Sequence, residues 1–305
     1  MSKFDHLCGY VPDQRAKEEF LGSQPVQFFS CAPGSGKGKR AAHWGYYLSL
    51  DPGAYSERQA GPDCTSHGSR NAVDSTRCCN IATGRKVEDF FKRTATEPTY
   101  GARGGGRGMS PARASRFLRD VGFFARQKYE GVDLSSYDYS IGERWGYGRG
   151  VPESVQKQCG DHKVSTITLV RTMDDLFDCL FNGYGVHSGQ EAAWSESPNG
   201  IYHPRVGDPW GHDMNIAGYD ATREFWPYDV VFIANSWGKW NLPITDWPSY
   251  LPPPPPGMIV SKAEDAEVCV RSEDCWAFSD AVGYEPRELP DAGTIGMLML
   301  KRGAQ

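Results

Sequence analysis

The stretch Asn235-Ser236-Trp237-Gly238, with Trp240 close behind, decides how this chain is read. It follows the apolar run Val230-Val231-Phe232-Ile233-Ala234. Upstream stands Trp210-Gly211-His212-Asp213-Met214-Asn215-Ile216-Ala217-Gly218-Tyr219. A short apolar run bounded by turn residues has the pattern of a buried strand. Each of these two predicted strands carries a polar side chain that a core strand has no use for, the imidazole of His212 and the amide of Asn235. An amide that orients an imidazole is half of a thiol-activating arrangement. The other half is a cysteine whose pKa is lowered by a helix N-terminus and a neighbouring histidine.

Cys64 meets that description. The turn Gly61-Pro62-Asp63 precedes it and Thr65-Ser66-His67-Gly68-Ser69-Arg70-Asn71-Ala72-Val73 follows. Cys64, Gly68 and Ala72 form a small-residue stripe, suited to a central helix lying close on other backbone. Gln59, just upstream, could aim an amide at a developing oxyanion beside the Cys64 backbone N–H. Two other motifs compete. Cys275-Trp276-Ala277-Phe278-Ser279 has the letters of a thiol-protease nucleophile, but it follows a predicted helix, whose negative end disfavours a thiolate. It is expected to be buried packing. Gly34-Ser35-Gly36-Lys37-Gly38-Lys39 looks like a phosphate loop after the strand-like Val26-Gln27-Phe28-Phe29. Cys31 stands where the first glycine belongs, and no hydroxyl follows the lysine to hold magnesium.

At 305 residues and 39% apolar content the chain has enough material for one large domain or two small ones. A formal charge of -5 argues against nucleic acid as the main partner. The arginines between Arg103 and Arg126 are read as a solvated helix face. No apolar run follows Met1–His6 as in a signal peptide, and none is long enough to cross a membrane. Nine cysteines is an odd number without repeating spacing. Cys78 and Cys79 are adjacent, so neither a disulfide framework nor a zinc site is expected. These features predict a cytoplasmic protein, not secreted by a signal peptide, with no cofactor, no metal, no nucleic-acid partner and no membrane partner.

Helices are predicted after Ser110-Pro111, an N-cap and N1 proline, and after Thr172, with Asp175 completing a near capping box. A third is predicted to open at Ser261 with Glu264, burying Ala266, Cys269 and Val270. Strands are expected at Val164–Val170, Met214–Tyr219, Val230–Ala234 and Thr294–Leu300. The prolines from Pro252 to Pro256 read as an exposed polyproline connector. Helices early and strands late give an α+β class.

Asn235–Trp240, His212 in its segment and Cys64 with Gln59 resemble papain-like cysteine peptidases. So do Gly104-Gly105-Gly106-Arg107-Gly108 and Tyr129-Glu130-Gly131, which look like the substrate-binding loop and tyrosine-rich turn of that family. The resemblance spans roughly Gln59 to Trp240. It implies a helical half and a barrel-like β-rich half with the cleft between them. Residues 1–58 would be an N-terminal extension packing on the core, 59–139 the helical half and 140–305 the β-rich half. It further implies that Cys64 attacks, His212 carries the proton, Asn235 orients His212 and Gln59 binds the oxyanion. Trp237 would shield the His212–Asn235 bond, and Gly105 and Gly106 would lie along a peptide or protein substrate. The arrangement looks most like the papain-fold proteins of bacteriophages, which share a Gly-Ser-Gly-Lys-Gly-Lys-like segment and a C-terminal Ala-Phe-Ser. Three function classes follow: a cysteine peptidase or related amide hydrolase, a papain-fold structural protein that binds other virion proteins, and a nucleotide-binding protein using Gly34–Lys39.

Overall fold

A computed structural model describes residues 4–23, 31–84, 91–159, 162–205, 209–241, 244, 246–279 and 289. The predicted strands at Val26–Phe29 and Thr294–Leu300 lie outside the described residues. The helices are α1 Gln14–Gly22, α2 His43–Leu50, α3 Cys64–Ala82, α4 Glu97–Gly101, α5 Pro111–Asp120, α6 Tyr139–Tyr147, α7 Glu153–Gln156, α8 Met173–Phe181 and α9 Ala263–Arg271. The strands are β1 Arg40–Ala42, β2 Lys128–Tyr129, β3 Val132–Asp133, β4 Thr166–Leu169, β5 Gly185–Gln190, β6 Ala193–Glu196, β7 Tyr202–Arg205, β8 His212–Asp220, β9 Val230–Ala234, β10 Met258–Lys262 and β11 Cys275–Ser279. Apart from the small β2–β3 pair, the strands form one sheet in the order β4-β11-β5-β8-β9-β10-β7-β6, and β1 pairs with the far end of β8.

The caps act where the sequence places them. Ser110 accepts the Arg113 N–H at the start of α5, and Thr172 accepts that of Asp175 at the start of α8. The third helix starts later than expected. Ser261 and Lys262 still pair with Val231 and Val230 as the end of β10, so α9 begins at Ala263.

Helix α3 lies on the sheet over β5, β8 and β11, and its small-residue stripe is what lets it approach. A methyl group on Gly68 would sit 2.1 Å from a carboxylate oxygen of Asp213. Across the same contact, one on Gly185 would sit 1.9 Å from the Ala72 carbonyl oxygen. A second apolar cluster gathers Ala95, Phe117, Phe124, Leu134, Ile141, Trp145, Val151, Val155 and Cys159. Helices α6 and α7 therefore pack with the helical side, beyond residue 139. Within 1–58, β1 extends the sheet against β8 and α2 packs on α3.

Two expected surface features are structural. The Pro252 and Pro253 carbonyls accept the Trp44 indole N–H, and Pro252 also accepts that of Trp247. Pro252 and Pro255 are buried, so the proline tract is docked rather than an exposed connector. The glycine-rich loop is occupied by the protein itself. The Asp178 carboxylate of α8 accepts the Gly34 and Gly36 N–H groups at 2.8 and 2.7 Å, and Tyr219 donates to the Gly36 carbonyl. The amides that would cradle a phosphate are already bonded to a carboxylate. A ligand at about 100 times its Kd stabilises a fold by about 2.7 kcal/mol. Mg-ATP is expected to give no concentration-dependent rise in Tm.

Candidate active site

The predicted residues come from three elements, of which two meet directly at His212 and Asn235, while the Cys64 thiol lies on the backbone N–H groups of Asp213 and Gly9. Cys64 is the first residue of α3, His212 the first of β8, and Asn235 follows the last of β9. His212 Nε2 lies 2.9 Å from Asn235 Oδ1. An amide oxygen only accepts, so this nitrogen carries the proton and Nδ1 holds the lone pair. Nδ1 is buried and has no hydrogen-bond partner. Trp237 stacks on the imidazole, with ring centroids 4.5 Å apart, and closes this side from water.

Gln59 is joined to the Asn235 loop from the other side. Its backbone N–H donates to the Ser236 carbonyl, and the Ser236 hydroxyl donates to its side-chain oxygen. The amide that orients the imidazole and the amide proposed for the oxyanion thus sit on one connected unit. Ser236 had no place in the sequence expectations; its role shows only once Gln59 and the loop meet.

Residues 4–13 fill the cleft. Phe4 stacks on Trp237 with centroids 4.6 Å apart, making a layered His212–Trp237–Phe4 sandwich. The Leu7 carbonyl accepts the Gln59 side-chain N–H at 2.7 Å, and the Gly61 carbonyl accepts from the same nitrogen. The Gly9 carbonyl accepts the Met109 N–H, and the Met109 carbonyl accepts that of Val11. Tyr10 runs parallel to Met109 and donates its N–H to the Gly211 carbonyl. We call Phe4–Asp13 the strap. Asp13 caps α1, and α1 is held on α5 by Arg113 to Asp13 at 3.0 Å and Arg116 to Glu19 at 3.5 Å. Both arginines lie on a largely solvated face, as expected, and each also has an acidic partner on the strap side. Their partners come from residues too distant in sequence for periodicity to reveal.

The strap changes the electrostatics. Cys64 and His212 are both 0% exposed. Burial pushes the Cys64 thiol well up, the Asp213 charge adds to this, and the Asp213 and Gly9 backbone N–H groups only partly oppose it. Burial also brings His212 down to about 4, against the Asn235 hydrogen bond, with His67 lowering it further. A thiolate near neutral pH was expected from the helix N-terminus and His212. In the covered site burial instead favours the uncharged form of each, and His212 Nδ1 has no hydrogen-bond partner.

The glycine-rich loop from Gly104 to Gly108 borders the strap. Gly105 and Gly106 are exposed, and the backbone that pairs with the strap belongs to Met109. Cys275 is the first residue of β11, paired opposite Ser188 and fully buried. All nine cysteines are free thiols. Among the described residues no cluster has the make-up of a metal site, and no helix is long and apolar enough to cross a membrane.

No protein-family model and no curated protein matches the chain. Solved structures do. Xylellain, a cysteine protease from Xylella fastidiosa, matches with a TM-score of 0.56 at 15% identity, over 91% of this chain and 97% of its own. Digestive procathepsin L 3 from Tenebrio molitor larval midgut gives 0.55 at 15% identity, over 89% and 83%. The proform of the ragweed pollen cysteine protease Amb a 11 gives 0.56 at 14% identity, over 91% and 76%. None of these three comes from a bacteriophage. Their likeness covers both the helical side and the sheet, and the chain therefore has the mixed α+β fold of papain-like cysteine proteases.

Proposed function

We propose that this protein is a cysteine peptidase held latent by its own N-terminal strap. The observation that carries the proposal is the place of the Leu7 carbonyl. It lies on the Gln59 amide, in a cleft where Cys64 opens a helix and His212 is fixed by Asn235. With the strap withdrawn, a peptide or protein substrate presents its own carbonyl oxygen to Gln59. The Cys64 sulfur gives its proton to His212 Nδ1 and attacks the carbonyl carbon. Negative charge then gathers on the oxygen facing Gln59 and the Cys64 N–H. The C–N bond breaks, and the amine leaves with the proton that His212 returns to it. Water, deprotonated by the same imidazole, cleaves the thioester and frees the thiol. Asn235 keeps Nε2 protonated and the ring in line throughout.

The test is hydrolysis of quenched fluorogenic peptides by the chain with its strap loosened. Removing a catalytic nucleophile costs on the order of 10⁶ in kcat in a serine protease. Cys64→Ala is expected to leave no signal above background, His212→Ala very little, and Asn235→Ala an intermediate rate. Hydrolysis that survives Cys64→Ala would end the proposal. A scaffold without activity is the second reading, favoured by the complete burial of Cys64 and His212. It is supported if the opened site hydrolyses nothing.

A further inference from the structure

Cys8 stands in the strap between the two residues that touch the catalytic centre. Before it, the Leu7 carbonyl lies on the Gln59 amide at 2.7 Å. After it, the Gly9 N–H lies on the Cys64 thiol. The Cys8 Cα is two bonds from that nitrogen, a span of about 2.4 Å. Cys8 and Cys64 are also near enough for the charge of one to act on the other. A disulfide spans Cα atoms about 4.4–6.8 Å apart, and a backbone N–H seated on one sulfur holds the preceding residue at that order of separation. The Cys8 thiol now rests on the Phe4 carbonyl at 3.7 Å. A thiol is a weak donor, so turning about χ1 toward Cys64 gives up little.

The two thiols differ in access. Cys64 lies wholly beneath the strap, whereas Cys8, alone among the nine cysteines, is not buried. The strap thus shuts the nucleophile away from solvent and leaves its own sulfur within reach.

We propose that Cys8 is a redox latch: oxidation joins it to Cys64 in a disulfide that pins the strap over the cleft, and reduction releases it. The oxidant is a low-molecular-weight disulfide, RSSR. While the strap is away, Cys64 gives its proton to His212 and its thiolate attacks one sulfur of RSSR. The RS⁻ that leaves takes the proton from His212. When the strap docks again, Cys8 attacks the Cys64 sulfur, and the second RS⁻ leaves with the Cys8 proton. Two protein thiols and one RSSR have become one protein disulfide and two RSH. Release begins at Cys8, the sulfur that solvent reaches. An external thiolate bonds to it, and Cys64 leaves as a thiolate at its helix N-terminus. A second thiolate then frees Cys8 and carries R away as RSSR. The latch deepens the peptidase reading, since it names what unlocks that site, but the bond itself is detected without catalysis.

The test uses the full chain equilibrated in graded ratios of oxidised to reduced glutathione. Free thiols are then blocked, and the chain is digested with trypsin and mapped unreduced by mass spectrometry. Cys8 and Cys64 are the sole cysteines of their tryptic peptides, Phe4–Arg15 and Gln59–Arg70, so one linked species reports the bond. It is expected as the main protein disulfide under oxidising ratios and should vanish under reducing ones. The Tyr10 and Val11 amides donate to Gly211 and Met109 in the docked strap. Their hydrogen exchange should slow at least about tenfold on oxidation, because the closed loop restricts every strap-open state. In Cys8→Ser the effect should reverse. Cys64 then keeps its glutathione, which competes with the strap for the cleft, and oxidation speeds the same amides. Equal glutathionylation of Cys64 in the parent and in Cys8→Ser, or strap exchange no slower in the oxidised parent, overturns the latch. Peptide hydrolysis separates the two readings. If the linked species forms but the reduced, strap-loosened chain cuts nothing, the peptidase reading fails and the latch stands. If that chain cuts peptides and Cys8 never links to Cys64, the latch fails and the peptidase reading stands.

Discussion

Gly9→Val is expected to open the cleft and expose Cys64. A Cβ at this position would lie 1.9 Å from the Pro62 carbonyl oxygen, so no side chain fits while the strap is docked. Pro62 belongs to the turn that starts α3 and cannot yield without moving Cys64. Overpacking of this kind costs about 1–3 kcal/mol, which is about 5- to 150-fold in the open population. Alkylation of Cys64 by iodoacetamide at neutral pH should rise by a comparable factor. Peptide hydrolysis should rise with it. The substitution leaves the Cys64, His212 and Asn235 side chains intact and removes only the strap's contacts with them, the Gly9 N–H on the Cys64 thiol included, so a gain in both rates reports the strap's withdrawal. Phe4→Ala should act in the same direction and more weakly, since a stacked pair is worth about 0.5–1.5 kcal/mol beyond its area. If Gly9→Val leaves both the labelling rate and the exchange of the strap amides unchanged, the strap is not what silences the site.

Glu57→Gln is expected to be the most damaging single change to stability. Glu57 bonds Arg70 and lies 2.7 Å from Arg126, which is 2.6 Å from Glu97. Arg70 is 1% exposed, so losing the Glu57 carboxylate removes its main counter-ion and leaves the more weakly acting Asp74. Breaking such a pair costs about 3–5 kcal/mol. The pH dependence carries the same signature. Burial alone would raise the Glu57 carboxyl, but Arg70, Arg126 and His67 together hold it at about 2, below its ordinary 4.5. The unfolded chain therefore binds this proton first as pH falls. The stabilisation is fully present above about 4.5 and is lost as pH drops through about 2. Urea midpoints across that window should fall steeply for the parent chain and less steeply for Glu57→Gln. Parallel slopes would show that other carboxylates carry the acid lability.

Much of this was legible in the sequence because the relevant signals are local. A β-strand that ends in Asn-Ser-Trp-Gly and a cysteine that opens a small-residue helix each announce themselves within a few residues. The strap carries no such signal. Phe4, Leu7 and Tyr10 follow neither a helical nor a strand period, and their partners Trp237, Gln59 and Asp274 are set only by the completed fold. The glycine-rich loop misled for the complementary reason. Its letters suit a phosphate, but the group that fills it is Asp178, which the fold brings in from α8. The pairing of the strap with Met109 was not legible either, because backbone hydrogen bonds do not depend on the side chain that names the residue.

Strand β8 begins with two neighbours that face opposite ways. His212 turns toward Trp237, and Asp213 toward His187 and Gly68. Alternation along a strand means that a slip of one residue exchanges the two faces. A molecule in which β8 paired one step out of register with β5 and β9 would present a carboxylate to Trp237 and bury an imidazole against α3. Its helix content and much of its sheet would survive, so circular dichroism would pass it as native. It would nonetheless lack a base. A refolded preparation could thus be homogeneous by spectroscopy while containing a silent fraction, and only titration of reactive thiols per chain would count the correctly threaded molecules.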